Sequence, residues 1–200
     1  MTFGREPAIT QLDLNLETLG VFITPNLLGW FMAFKRTSEP LNIGTSVDLV
    51  DGTPGSKEVT LPLSSLDREV FIVTDIQMDT EALPVPGAPG TSILLASVNK
   101  IGAQVEGIDS PNCIGNLRRD IESTPFSSVF QESFHPQEAS TGRSPDYLGI
   151  IATPNFTLAG SYSTTAGGAP NRKVYCRVTG YRAKADADTY AALVTEEINN

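Results

Sequence analysis

The sequence predicts an all-β protein, a single antiparallel β-sandwich closed by a short C-terminal helix. Three observations carry that prediction. The stretch 69–79, Glu-Val-Phe-Ile-Val-Thr-Asp-Ile-Gln-Met-Asp, alternates with period two and is rich in β-branched residues, the pattern of a long strand with one dry face. About ten such short apolar runs recur along the chain, separated by Gly, Pro and Asn turn signals, as in sandwiches and barrels. The period then changes near the end: Ala187, Ala191, Val194 and Ile198 fall on one face of a helix over 186–198. Asp186 and Asp188 stand where an N-cap and first turn favour acids.

In chain order, residues 9–18 alternate Leu12, Leu14 and Leu16 with Asp13, Asn15 and Glu17, a strand with one wet face. Strands are expected at 19–24 and 27–36, the latter apolar on both faces through Trp30, Met32 and Phe34. Runs 46–50 and 57–61 flank Asp51-Gly-Thr-Pro-Gly55, a hairpin signal. In 69–79, Val70, Ile72, Thr74, Ile76 and Met78 share one face; Phe71, Val73, Asp75, Gln77 and Asp79 share the other, which turns acidic. Residues 83–90 hold three prolines and two glycines, an exposed loop. Residues 91–98 resume as a strand, expected to pair with 70–78. Residues 109–123 are the least strand-like, and Ile114, Leu117 and Ile121 suit a short helix over 112–122. Phe126, Phe130 and Phe134 recur every four residues; Ser127, Ser128, Val129 and flanking prolines favour a strand there. A polar loop at 135–146 precedes strands at 148–152, 156–164 and 172–183, the last two joined by a hairpin signal at 166–170. Leu19-Gly-Val-Phe-Ile-Thr-Pro-Asn26 is echoed by Leu148-Gly-Ile-Ile-Ala-Thr-Pro-Asn155, which reads as two closures on the same Thr-Pro-Asn turn.

A chain of 200 residues suits one such domain spanning 1–200 and can bury a core without metals or cross-links. Fourteen basic against twenty-three acidic residues give a net charge of −9. That balance argues against direct nucleic-acid binding and against anionic membranes. No stretch approaches eighteen apolar residues, so no membrane span is expected. Residues 1–10 contain Gly4, Arg5, Glu6 and Pro7 with no apolar core after them, so synthesis without a signal peptide, in a cytoplasm, is expected. Cys113 and Cys176 read as separate buried thiols, or as a single bridge in a particle that meets an oxidising exterior.

The search for chemistry finds no catalytic constellation, no cofactor fingerprint and no metal motif. His135 is the single histidine, and no Gly-x-Ser-x-Gly elbow accompanies it. Asp75, Asp79 and Glu81 alternate with Gln77 and could offer oxygens to a calcium ion. A strand emerging into solvent has the same pattern, and no loop of complete ligand spacing surrounds them. Lys173, Tyr175, Arg177 and Tyr181 line one face of the last strand, opposite Val174, Cys176 and Val178. Interleaved cations and aromatics suit single-stranded nucleic acid or a protein contact; the net charge favours the contact. With Val194 and Ile198 of the tail, these four are the expected assembly residues.

Many short strands, long proline-rich loops such as 83–90 and a closing strand at 173–183 together resemble the single jelly-roll coat proteins of viruses. The resemblance spans the whole chain as a pattern. It implies a jelly-roll sandwich and a non-enzymatic structural subunit of a self-assembling particle, a capsid protein of a virion assembled in a host cytoplasm. Its implied partners are copies of itself and other particle proteins. Residues 1–19 depart from a common form of that family: they hold Arg5 against Glu6, Asp13 and Glu17, where such coats carry a basic arm. A phage tail-tube or decoration subunit fits the same facts. A sandwich module binding a glycan or calcium, with Tyr147, Tyr162 and Tyr175 as aromatic candidates, is the alternative class.

Overall fold

The computed structural model describes residues 34–82, 90–124, 127–136, 147–165 and 170–199. The strands expected at 9–18 and 19–24, most of that at 27–36, the loop signals at 83–89 and 137–146, and Phe126 lie outside them. Ten strands follow in order: β1 Phe34–Arg36, β2 Leu41–Leu49, β3 Gly55–Thr60, β4 Glu69–Thr80, β5 Gly90–Asn99, β6 Cys113–Ser123, β7 Ser128–Pro136, β8 Gly149–Ile151, β9 Asn155–Thr164 and β10 Arg172–Ala185. The C-terminal helix α1 spans Ala187–Asn199. Every strand pairing is antiparallel.

The first sheet runs β2, β10, β4, β8, with β1 extending the β2 edge along β10; the second runs β3, β9, β5, β6, β7. Setting aside β1 and the added edge strand β7, the two orders are 2-10-4-8 and 3-9-5-6. That interleaving of eight strands is a jelly roll. It corrects three expected pairings. The turn after β2 is present, with a bridge from Val50 to Thr53 and Gly52 at φ 71°, yet β2 pairs with β10 and β3 with β9. Likewise β5 pairs with β6 and β9 instead of β4, and β9 and β10 belong to different sheets. In this wrapping a turn between consecutive strands mostly carries the chain from one sheet to the other, so a local hairpin signal marks a bend without naming the partner.

Two bulges explain where strand faces were misread. On β4, Asp75 faces Thr179 but Val73 faces Gly180, so Thr74 is an extra residue. Beyond it the parity flips. Phe71, Val73 and Ile76 all point into the core, while Val70 and Ile72 face outward beneath α1. The strand has two dry faces at its start, and Ile76 and Met78 change sides relative to simple alternation. On β6, Val98 faces Gly115 and Asn99 faces Cys113, so Ile114 is the extra residue. The bulge brings Ile114 to the same core as Leu117 and Ile121. Three apolar residues at spacings of three and four mimic a helix, and 113–123 is a strand. The polar Arg119 between Leu117 and Ile121 completes the disguise. The loop expected from 135 also begins later, because β7 continues through Pro136.

The main core lies between the sheets, built from Leu49, Phe71, Ile76, Leu94, Leu117, Phe156, Leu158 and Tyr162 among others. A second cluster lies on the outer face of the first sheet, where Val70, Ile72, Ile150, Ala152, Ala183 and Ala185 are covered by Tyr190, Leu193 and Val194 of α1. Asp186 caps the helix as expected: Oδ1 accepts the amides of Asp188 at 3.1 Å and Thr189 at 2.9 Å. These bonds hold its carboxyl below the usual value, the Thr189 amide foremost. The inward helix face is 190, 193, 194 and 197, so of the expected stripe Val194 packs inward while Ala187, Ala191 and Ile198 are exposed.

Candidate assembly surface

Among the described residues, the outer face of the first sheet has a covered end and a bare end. Strand β10 runs through both, and its odd-numbered residues face outward. Ala183 and Ala185 lie under the helix. Tyr181 packs beside them, with the Arg36 guanidinium 4.9 Å from its ring centre. Toward the other end, Lys173, Tyr175 and Arg177 stand on uncovered sheet. The pairings set them in rows across three strands: Ser46, Tyr175, Asp79, and next to it Gly44, Arg177, Gln77. A groove of about 580 Å³ is lined by these rows, by Thr45, Met78 and Cys176 between them, and by Lys57 of β3 in the other sheet. A Cβ on Gly44 would meet nothing within 4 Å, so that end of its row is open.

Charges on this face are partly spent. Lys173 Nζ pairs with Asp48 Oδ1 at 3.2 Å, and that hydrogen bond raises the Lys173 pKa. The Tyr175 hydroxyl donates to Glu81 at 3.4 Å. Arg177 and Lys57 have no hydrogen-bond or ion-pair partner among the described residues. The expected assembly residues therefore divide. Lys173, Tyr175 and Arg177 share the bare platform; Tyr181 and Val194 are committed to the second cluster; Ile198 is 63% exposed on the helix.

The candidate calcium ligands do not converge. Asp75 and Asp79 stand four residues apart on one strand, about 13 Å at the usual rise. Asp79 Oδ1 turns back to the Thr80 amide at 2.7 Å, and Glu81 faces Tyr175. Among the described residues no group of three or more His, Cys, Asp and Glu side chains could hold a metal.

A second unspent surface lies at the β7 edge of the other sheet. Val129 and Phe130 are 60% and 58% exposed on consecutive positions, so each face of this edge strand carries an exposed apolar side chain. The Arg119 guanidinium lies 5.6 Å from the Phe130 ring centre, and its Nε donates to Glu132 at 2.6 Å. Sequence patterning pointed to the phenylalanine series, but Val129 entered it only as strand propensity. Large apolar side chains are also exposed at Leu66 and Ile108 in loops. Tyr162, an aromatic candidate for ligand binding, is buried in the core. Both cysteines are free and buried. Burial pushes the Cys176 thiol up to about 12 and raises that of Cys113, so neither is poised as a nucleophile.

No helix of the described residues is long and apolar enough to cross a membrane. No family model matches the sequence, and no curated protein matches it. Among solved structures the chain is similar to VP1 of the Trichodysplasia spinulosa-associated polyomavirus, at a TM-score of 0.35 and 6% identity over 76% of this chain and 99% of that one.

Proposed function

We propose that this chain is a coat subunit, a non-enzymatic jelly roll whose copies tile into the shell of a virion. The observation that supports it best is the apolar surface that the described residues leave exposed. Among the described residues a core packs between the sheets, and the helix covers a second cluster. Val129, Phe130, Leu66, Ile108 and Ile198 nevertheless remain exposed on an edge strand, two loops and the helix. Single exposed apolar residues are ordinary; adjacent ones along a strand that is an edge among the described residues invite a partner. Fold alone does not choose among jelly-roll functions, and those surfaces are what favour assembly.

Light scattering and negative-stain microscopy of the full chain test this. Closed particles or a mass far above one chain, rising with concentration, is the expected result. A monodisperse monomer at the highest reachable concentration and at any ionic strength would overturn it.

One observation favours a second reading, a module for a small polar ligand. A recess of about 320 Å³ lies on the outer face of the second sheet, lined by Leu95, Val105, Glu106, Asp109, Asn116 and Arg118. Binding on a glycan array that Arg118→Ala abolishes, in a chain that stays monomeric, would select that reading.

A further inference from the structure

We propose that the bare end of the first sheet is the seat of helix α1 from a second copy, in a face-to-face dimer with two-fold symmetry. This contact rests on the reading of the chain as an assembling subunit, and it names which surfaces meet.

The geometry begins with the direction of the helix. It starts after Ala185 at the end of β10 and ends with Glu197 bonded to the amides of Ala152 and Thr153, just past β8. Strand β4 lies between β10 and β8, so α1 crosses the strands. It stands about 10 Å above the sheet. At the bare end the rows of Tyr175 and Arg177 also run across the strands, and both line the groove. Those rows are two residues apart, about 7 Å. A ridge and a trough of the same direction thus sit at opposite ends of one face.

A two-fold axis lying between two facing sheets, across their strands, exchanges the ends. Each ridge then lies over the partner's trough. The operation leaves position across the strands unchanged. The first turn of α1, which starts over β10, therefore lands over β10 of the partner, where Arg177 stands. That first turn exposes Asp188, whose side chain has no partner among the described residues. The exposed helix surface continues through Ala191 and Ala192, small enough for close approach, to Ile198. An unpaired cation thus meets an unpaired acid at the first turn of the helix. Symmetry makes the contact twice.

Sedimentation of the full chain over a range of concentrations tests this. Arg177→Glu and Asp188→Arg are each expected to weaken the association of copies roughly tenfold or more, and the double variant to restore it to within a few-fold. Both residues are exposed, so circular dichroism of each variant should match the parent. Singles that assemble like the parent, or a double variant no better than the worse single, overturn this contact and leave the coat reading standing. A parent chain that never associates overturns the coat reading itself. Should a charge variant misfold, the Arg177→Cys/Asp188→Cys chain under oxidation decides. A 177–188 disulfide between chains supports the contact; no bridge, or one within a single chain, overturns it.

Discussion

Glu197 Oε1 accepts the backbone amide of Ala152 at 2.7 Å, and Oε2 accepts that of Thr153 at 3.0 Å. The side chain is 1% exposed. An acid near the C-terminus of a helix opposes the macrodipole, and here two charge-assisted bonds to the turn after β8 offset that cost. The Asn112 side-chain amide adds a longer bond to the Glu197 carbonyl, at 3.4 Å. One residue thereby fastens the helix over the second apolar cluster.

Replacing Glu197 with Ala leaves the buried Ala152 amide and the part-buried Thr153 amide without acceptors, each an uncompensated desolvation. We expect a loss of about 3 kcal/mol in urea unfolding, with the helix released first. Glu197→Gln keeps one good acceptor and should lose roughly half as much. Hydrogen exchange at Ala152 and Thr153 reads the same bonds directly: both amides should exchange fast in the alanine variant and slowly in the parent.

A different constraint acts at Gly180, opposite the β4 bulge. A Cβ there would collide with the carbonyl oxygen of Ile72 and come within 2.7 Å of the Phe71 ring. The carbonyl is backbone in the middle of a sheet and cannot move aside cheaply. Gly180→Ala should therefore cost about 3 kcal/mol or more, although alanine suits a strand better than glycine. Gly44→Ala is its control, because a Cβ there meets open space; its midpoint in urea should stay near the parent's.

The same bulges mark how far the sequence could be read. Alternation in 172–183 placed β10 and its outward Lys173, Tyr175 and Arg177, because that strand has no extra residue and its two faces see core and solvent. The helix was legible from its period and its Asp186 cap. In β4 and β6 one inserted residue each, Thr74 and Ile114, changed the face of everything beyond, and nothing in the local pattern announces such an insertion. Strand partners were not legible either, since each is set by wrapping over distances the turn signals do not span. Glu197 carried a faint signal: an acid four residues after Leu193 and three after Val194 sits on the buried face of the helix.

The Cys176 thiol makes stability depend on pH in the alkaline range. Burial raises its pKa from 9.0 to about 12. Below pH 9 the thiol is protonated in folded and unfolded chains alike. Between about 9 and 12 the unfolded chain loses this proton and the folded chain keeps it, so stability falls as pH rises, by up to about 1.4 kcal/mol per pH unit. Cys176→Ala should be less stable at pH 7 from the lost packing, yet its stability should fall less steeply between pH 9 and 11. Parallel slopes in urea titrations of the two proteins would contradict the assignment.

The Val129 and Phe130 pair offers a way to separate folding from association. Val129 faces away from the core, and Phe130, on the core-side face, is covered on one side by Arg119. Neither is in the main core. Replacing both with Ser should change unfolding stability by only about 1 kcal/mol, since little buried area is lost. The effect on association should be larger, because an edge strand with two adjacent apolar side chains presents both a backbone template and a dry surface to another chain. Light scattering of the double variant should show a lower mass than the parent at equal concentration, with an unchanged circular dichroism spectrum. If the mass is unchanged while Arg177→Glu lowers it, association runs through the helix platform and the β7 edge is a bystander; if both lower it, two separate contacts build the assembly.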